Sequence, residues 1–360
     1  MSEQASSTSV PQRRLVIRAV LRTDVGLVRS ENQDFGTYTT ASEERHSHPG
    51  GRLLIVADGM GGHRGGATAS RLAGETVKAQ YLGSETTDIA TALRESLSRA
   101  NARIFSEAQS NPDLRGMGTT TSVLAVRGDH GWLAHVGDSR IYLIRDGEIQ
   151  QLTDDHSLVA TMMREGLLTP QEAETHPRRN VLQRSMGVAE DVEIDVRGPI
   201  ELREGDTFIL CSDGLHGVVK EQELKEIVTT KPTIDEAADE YLRRSLERGA
   251  PDNVTVIVAR VESTDEEDTS PFDDTVKETQ KIAAVTEQDL RDTDKLPIAD
   301  GGAADDEPAP GADRRESAPV EATGAPQAGT PRKSKSNAAL RWGLIFVLAL
   351  GAASAWYYWH

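Results

Sequence analysis

The chain has 360 residues, enough for one large domain or two smaller ones, and its 37% hydrophobic and 4% aromatic content predicts that part of it is unfolded. A formal net charge of −18 argues against binding to a nucleic-acid backbone, which needs clustered Lys and Arg. The one cysteine, Cys211, excludes an intrachain disulfide and predicts a reducing compartment, and its apolar setting in TFILCSDG indicates a core residue instead of a nucleophile.

Residues 1–12 are polar and predict a disordered N-terminus, whereas residues 13–261 carry dense patterns of regular structure. Short apolar runs that close in turns predict strands at RRLVIRAV, LLIVADGM, TTTSVLAVRG, GWLAHVGDS, RIYLIRDGEI, DTFILCSDG and NVTVIVARV. Helical patterns fall between them at ATASRLAGETVKAQYL, DIATALRESLSRANARIFSEAQ, EQELKEIV and IDEAADEYLRRSLERG. Because the helices do not follow every strand, an α+β fold of antiparallel sheets with helices outside is favoured over a doubly wound parallel sheet. The G-x-G-x-x-G of a Rossmann fold is also missing after the first strand.

Residues 262–338 are rich in Asp, Glu, Ala, Pro, Gly and Thr. Nineteen acidic and six basic residues lie between positions 261 and 330, so this segment holds most of the net negative charge. With little apolar periodicity it cannot bury enough surface to offset the entropy of ordering. It is predicted to be an acidic disordered linker.

Residues 339–360 are predicted to form one C-terminal transmembrane helix. The 18 residues from Trp342 to Trp359 carry no charge and would span about 27 Å as a helix, close to the ~30 Å of a bilayer core. Aromatic residues stand at both ends, and Arg341 with other basic residues precedes the span, which predicts a cell-membrane anchor with a cytoplasmic N-terminal domain. The alternative is a buried core helix. That alternative is disfavoured because a terminal segment beyond a disordered linker has no core to enter.

Carboxylates recur at predicted strand ends and in the loops beside them. They are Asp34, Asp58, Asp138, Asp213 and Asp252. Turn chemistry explains any single one, since Asp-Gly is a favoured turn pair, and Asp146 in RDGEIQ is interpreted as such a hairpin turn. As a set they favour a bound cation, because mutually repelling carboxylates at the edge of a core need a counter-charge that these motifs do not themselves supply.

Oxygen ligands predict Mg²⁺ or Mn²⁺, since Zn²⁺ would call for clusters of His or Cys. Two such ions about 4 Å apart can activate a water for in-line attack on phosphorus. Arg29 in GLVRSENQD is the candidate partner for a phosphate group, and a solvated surface arginine is the alternative. No protein nucleophile is required, in agreement with the absence of a G-x-S-x-G motif.

The motifs in this order resemble the type 2C metal-dependent protein phosphatases (the PPM family), in particular its bacterial branch. The resemblance runs from about Leu15 to Val261 and rests on TDVGLVRSENQD, VADGMGGHRGGATAS, GMGTTTSVLAV, HVGDSRIYLIRDG, QLTDDHSL, THPRRNVLQRSMG, LCSDGL and PDNVTVIV. It implies a β-sandwich of two antiparallel sheets flanked by helices and makes residues 13–261 a phosphatase catalytic domain.

The resemblance also implies roles for single residues. Asp58 would bridge two metal ions, with the carbonyl of Gly59 on the second, and Asp213 and Asp252 would be ligands of the first. Asp34 would neighbour the second ion, and Asp138 with Asp213 would hold a third, weaker one. Arg29 would bind the phosphate, and residues 153–187, including His156 and His176, would form a flap beside the site.

Two positions depart from the family pattern. Gln33 stands where many members carry Glu, which puts the water-mediated ligation of the second metal in doubt. Met60 stands where much of the family has a histidine that acts as general acid, and His63 follows three residues later. His63 is therefore a candidate general acid, with a structural or solvent-facing histidine as the alternative.

The predicted function is hydrolysis of phosphoserine and phosphothreonine on proteins by a water activated between two metal ions. By analogy the partners are Ser/Thr kinases and their substrates, and nucleic acid is not expected. One alternative is a pseudophosphatase, which should have lost ligands that are all present here. Another is a metal-dependent nuclease, which needs a basic groove that the acidic balance opposes.

Overall fold

The computed structural model describes residues 14–39, 51–61 and 64–264. The predicted disordered N-terminus, almost all of the acidic linker, the predicted anchor and His63 lie outside these residues. In the part of the chain that is described, no helix is both long enough and apolar enough to cross a bilayer.

The first sheet has five strands in the order β1-β11-β10-β7-β8, and every neighbouring pair is antiparallel. The strands are β1 (Arg14–Asp24), β7 (Arg140–Arg145), β8 (Glu148–Gln151), β10 (Thr207–Cys211) and β11 (Val254–Thr264). β11 runs three residues past the predicted domain end at 261, because β1 offers it partners as far as the pair Arg14 and Thr264. β7 and β8 form a hairpin in which Asp146 and Gly147 both have positive φ, which confirms Asp146 as a turn residue.

The second sheet has the order β2-β3-β5-β6-β9, again antiparallel throughout, with a short β4 paired to the end of β3. Its strands are β2 (Asp34–Tyr38), β3 (Arg52–Met60), β4 (Gly118–Thr119), β5 (Thr121–Arg127), β6 (His130–Val136) and β9 (Asp195–Glu201). β2 and β9 were not predicted. β2 has only five residues, and β9 is mostly exposed and contains a proline, so neither carries a strong apolar pattern.

Seven helices are described in residues 64–264, apart from a 3₁₀ turn at Pro112–Leu114. They are α1 (Gly65–Leu82), α2 (Ile89–Ser110), α3 (Leu158–Arg164), α4 (Pro170–Thr175), α5 (Asp213–His216), α6 (Glu221–Thr230) and α7 (Ile234–Glu247). The four long ones match the predicted helical patterns. α7, for example, buries Ile234, Ala237, Tyr241 and Ser245 at helical spacing and begins at Thr233, whose side chain caps the first turn.

The apolar residues form three layers of core. One lies between α1, α2 and the second sheet, one between the two sheets, and one between the first sheet and α5, α6 and α7. Successive side chains of a central strand point to opposite faces of the sheet and so belong to two different core layers. In β3, Leu53 and Ile55 face the helices, whereas Leu54 and Val56 face the other sheet. The predicted sandwich of two antiparallel sheets flanked by helices is therefore confirmed. Cys211 is fully buried in the third layer, where burial raises its thiol pKa to about 12, as expected for a core residue.

Candidate active site

Five predicted carboxylates come together at strand ends and turns around one cleft. Asp34 begins β2 and lies directly opposite Asp58 near the end of β3. Asp213 follows β10, Asp252 precedes β11, and Asp138 lies in the turn between β6 and β7. Asp58, Asp138, Asp213 and Asp252 line a cleft of about 200 Å³ together with Arg29 and Gly59. Residues separated by more than 200 positions in the sequence thus meet at one site.

Close backbone contact brings the loops around the cleft together. A Cβ atom added to Gly214 would lie 1.9 Å from the backbone oxygen of Asn253 and would collide with it. Gly26 has a φ of +76°, and a side chain there would collide with the backbone oxygen of Asp252 at 2.3 Å. Glycine at these two positions therefore allows the loops that carry Arg29, Asp213 and Asp252 to touch.

Hydrogen bonds to the backbone of Asp58 and to the carboxylate of Asp34 hold these residues in place. The amide of Asp58 donates to Thr120 Oγ1 at 2.9 Å, and its carbonyl accepts from Thr119 Oγ1 and from the Thr120 amide. Ser212 Oγ donates to Asp34 Oδ2 at 2.7 Å and itself accepts from the Thr255 amide at 3.0 Å. Because these contacts leave the Asp58 carboxylate to face the cleft, they orient it without neutralising it.

The buried His156 and the partly buried His216 both contact the turn that carries Asp138. The Gly137 amide donates to His156 Nδ1 at 3.0 Å, and His156 Nε2 lies 3.2 Å from Asp195 Oδ2, so the ring is a neutral acceptor toward the turn and a donor toward Asp195. His216 Nε2 donates to the carbonyl of Asp138 at 3.0 Å. Burial lowers the pKa of both histidines, that of His216 to about 3, which keeps them uncharged.

The cleft carboxylates hold their protons more tightly than free carboxylates do. Burial raises the pKa of Asp34 and of Asp138 to about 7 and that of Asp213 to about 6, and the negative charges of neighbouring aspartates add to each shift. The pKa of Asp58 is raised well above its usual value by burial and then by Asp34 and Asp213. These aspartates lack enough nearby positive charge to balance them.

The donor set fits a divalent, oxygen-preferring cation. In the described residues, two buried side-chain atoms have no hydrogen-bond partner, Asp34 Oδ1 and Asp213 Oδ1. Unpaired carboxylate oxygens in a buried acidic cluster are what a bound cation would satisfy. No three His, Cys, Asp or Glu side chains within those same residues already converge on one ion position. Three carboxylates would therefore have to shift their side chains to bind the same ion, and backbone carbonyls and water would supply the other ligands, as they commonly do for Mg²⁺.

Arg29 supplies the positive charge of the cleft. Its side chain is 53% exposed, and its Nη2 donates to Asp252 Oδ2 at 2.6 Å. That hydrogen bond raises the pKa of the guanidinium, and the charges of Asp213 and Asp58 act in the same direction. The predicted phosphate partner is therefore placed in the cleft, not on a remote surface, and is fixed there by a carboxylate.

Asn253 anchors the loop that carries Arg29. Its side chain donates to the carbonyls of Val25 and Glu31 at 2.9 Å each and accepts from the Gln33 amide at 2.8 Å. Asn253, Thr120, Ser212 and His216 were not assigned roles from the sequence. The motif PDNVTVIV pointed at the right segment, but nothing in the order of residues indicates which distant backbone a side chain will meet.

The remaining predicted residues are placed as follows. Gln33 and Met60, the two departures from the family pattern, both line the cleft. Of the two histidines in the predicted flap, His156 is buried, whereas His176 is partly exposed and accepts a hydrogen bond from the Arg178 amide at 3.2 Å. His63 lies outside the described residues, so its candidacy as general acid stays a prediction.

Comparison with known proteins places this fold and cleft in context. A family model described as protein phosphatase 2C matches residues 31–255. The chain is 39% identical over 248 residues to the serine/threonine phosphatase Stp of Listeria monocytogenes, covering 67% of this chain and 95% of that one. It is 38% identical over 259 residues to the serine/threonine protein phosphatase PstP of Mycobacterium tuberculosis, covering 72% of this chain but only 48% of PstP. The structure of the PstP catalytic domain with two manganese ions superposes with a TM-score of 0.59 at 36% identity, covering 69% of this chain and 99% of that one.

Proposed function

Because the chain belongs to the protein phosphatase 2C family, we propose that the cleft between its sheets is where it hydrolyses phosphoserine and phosphothreonine on other proteins. The chain is a metal-dependent protein serine/threonine phosphatase that uses Mn²⁺ or Mg²⁺. The observation that supports this site most strongly is the buried carboxylate cluster, with two unpaired oxygens, in the same cleft as Arg29.

The proposed ligand roles are those that the resemblance to the family implies for residues of the cleft. Asp58 would bridge two ions, with Gly59 contributing its carbonyl to the second and Asp34 lying beside it. Asp213 and Asp252 would complete the first, and Asp138 with Asp213 would hold a third and weaker ion. When bound, the ions supply positive charge to the phosphate oxygens and lower the pKa of bound water.

The protein's own groups bind and orient. The Arg29 guanidinium has five N–H donors in a planar fork, and the hydrogen bond to Asp252 orients that fork while leaving donors for phosphate oxygens. Asn253 holds the Arg29 loop against the Asp252 loop, and Thr120 fixes the backbone of Asp58. A phosphate monoester would thus be held between the Arg29 guanidinium and the ions bound by the carboxylates of the cleft.

Release of phosphate from a phosphothreonine peptide by the full chain, with Mn²⁺ and with a chelator, tests the activity. Turnover that appears with Mn²⁺ and vanishes with the chelator is expected. Metal binding without turnover would support the pseudophosphatase alternative. Cleavage of DNA at comparable rates would support the nuclease.

A membrane location is proposed from the sequence, since residues 339–360 lie outside the described part. The linker of about 77 residues would have an end-to-end distance of roughly 50 Å as a flexible coil, and its like charges would extend it further. The catalytic domain would then act near the membrane at raised effective concentration toward membrane-bound phosphoproteins.

Cell fractionation tests this location. Full-length protein should appear in the membrane fraction, whereas a chain truncated before Asn337 should be recovered without detergent. Truncation should leave the kinetics on a short peptide unchanged, because every proposed ligand lies at or before Asp252. Intact full-length protein in the soluble fraction would contradict the anchor.

Ser/Thr kinases and their substrates are the proposed partners, because an enzyme that removes phosphate from Ser and Thr opposes those that add it. A phosphoproteome of cells lacking the chain, compared with cells carrying it, would identify them. Unchanged phosphorylation of membrane kinases would exclude those kinases as substrates.

A further inference from the structure

Four of the exposed large apolar side chains lie close, in sequence or in space, to residues that line the cleft. In residues 14–39, 51–61 and 64–264, six large hydrophobic side chains are exposed: Leu27, Val28, Met163, Leu167, Val181 and Val188. Two of them directly precede Arg29, and the other four lie between positions 163 and 188, in the predicted flap or immediately after it. A group of exposed apolar side chains beside a cleft is a candidate surface for contact with another molecule.

Leu27 and Val28 are presented on a fixed turn. They are 66% and 70% exposed. The Leu27 amide donates to the carbonyl of Ala250 at 3.1 Å, and the Gly26 amide donates to Asp24 Oδ1 at 2.8 Å. Asn253 holds both ends of the same loop. Because the backbone is held at both ends, exposure of these side chains is a property of the folded turn.

Val181 and Val188 border the cleft at other points. Val181 lies between Asn180 and Leu182, both of which line the cleft. Val188 and the cleft residue Met60 pack over Gly118, since a side chain on Gly118 would come within 2.9 Å of Val188 and 2.8 Å of Met60. We call Leu27, Val28, Val181 and Val188 the apolar rim.

We propose that the apolar rim binds the polypeptide on either side of the phosphorylated residue, so that the enzyme prefers substrates with apolar residues flanking the phosphoserine or phosphothreonine. This inference rests on the proposed function of the cleft. Each part of the rim neighbours a residue that lines the cleft, and a phosphoprotein substrate must enter that cleft.

The distance between Arg29 and the rim determines which residues of the substrate would contact the rim. Val28 and Leu27 lie one and two residues from Arg29, so their Cα atoms are within about 8 Å of its Cα. An extended substrate advances about 3.3–3.6 Å per residue. With its phosphate on Arg29, a peptide would place the residues one to three positions from the phosphoresidue against the rim.

The test compares phosphothreonine peptides of equal length and charge that carry Leu and Val, or Ser and Asn, at the flanking positions. Wild-type enzyme should show a KM about five- to tenfold lower for the apolar peptide, as expected when two aliphatic side chains are only partly buried on an open surface. The double variant Leu27→Ser/Val28→Ser should lose most of this difference through the KM of the apolar peptide. Its turnover of para-nitrophenyl phosphate, which has no flanking residues, should not change and shows that the variant is folded.

Leu167→Ser is the matched control, since Leu167 is 62% exposed but adjoins no residue that lines the cleft. It should keep the wild-type preference. Three results would each overturn the proposal that the rim binds flanking residues. They are equal KM values for both peptides in the wild type, an unchanged preference in the double variant, and an equal loss of preference in Leu167→Ser. Absence of hydrolysis of every phosphopeptide would instead contradict the proposed function itself.

Discussion

The acidic residues of the cleft and those of the α6–α7 face have opposite electrostatic surroundings. On the helices, Glu223 accepts from Arg248 at 2.5 Å, and Glu240 accepts from Arg243 at 2.7 Å and from Arg244 at 2.9 Å. These arginines lower the pKa of both glutamates to about 2. In the cleft, burial and neighbouring aspartates raise the pKa of Asp34, Asp58, Asp138 and Asp213.

The difference distinguishes two uses of a carboxylate. The charges of the helix glutamates are balanced by arginines of the same chain. These glutamates therefore contribute to the stability of the fold and need no bound cation. The cleft aspartates depend on charge from outside the chain, which makes the region costly to fold and able to bind cations. Substitutions in the two regions should therefore affect different properties, activity in the cleft and stability on the helices.

The largest expected effect is on turnover. Asp58→Asn or Asp213→Asn removes a ligand charge and should lower kcat at least about 100-fold, a loss of ~2.7 kcal/mol in transition-state stabilisation. Without metal, these variants should be at least as stable as wild type, because a repelling charge is gone. Asp146→Asn, in the β7–β8 turn, is the matched control and should keep full activity. Either cleft variant retaining more than about a tenth of wild-type kcat would refute the ligand assignment.

Arg29→Ala should have the next largest effect. Loss of the guanidinium should raise KM for a phosphopeptide about tenfold, and kcat should fall only to the extent that the contact strengthens in the transition state. Arg29→Lys should recover part of the loss, since an ammonium lacks the two-pronged geometry. Steady-state kinetics of the two variants measure both effects, and wild-type constants in Arg29→Ala would make it a surface residue.

The pH dependence of stability should differ with and without metal. Aspartates whose folded pKa is raised to about 6–7 hold protons that the unfolded chain releases near pH 4. Stability of the metal-free protein should therefore decline as pH rises from about 4 to about 7, by roughly 1 kcal/mol or more. Saturating Mn²⁺ should remove this decline, since it binds the ionised form. Urea unfolding across this range measures it, and identical profiles with Mn²⁺ and with chelator would contradict the cation-dependent cleft.

The smallest effect is expected on the helical face. Glu240→Gln should lower the free energy of unfolding by about 1 kcal/mol at neutral pH, because the Glu240 side chain is only 10% exposed but its partners Arg243 and Arg244 are 52% and 27% exposed, so solvent screens their charges. Since the folded pKa is lowered, this contribution should disappear as pH falls from about 4.5 toward 2. Phosphatase kinetics should not change. A large loss of kcat in Glu240→Gln would contradict the claim that the helical face contributes to stability and the cleft to activity.

The sequence predicted the residues of the site better than the contacts that hold them. Asp58 and Asp213 could be found because each ends an apolar strand, and strand ends meet at the edge of a sandwich. Asn253 and His216 could not, because their partners are backbone atoms of loops distant in the sequence. The short helices α3 and α4 were also missed, since six or seven residues give too little periodicity for a helical pattern.

Calorimetric titration of Mn²⁺ into the full chain tests most directly whether the unbalanced carboxylates of the cleft form a metal centre. Wild-type protein and Asp146→Asn should each bind at least two ions, with release of protons at about pH 6 because the cleft aspartates must ionise. Asp58→Asn should bind fewer ions, or bind them at least about tenfold more weakly. Undiminished binding by Asp58→Asn, or binding without proton release, would contradict the account.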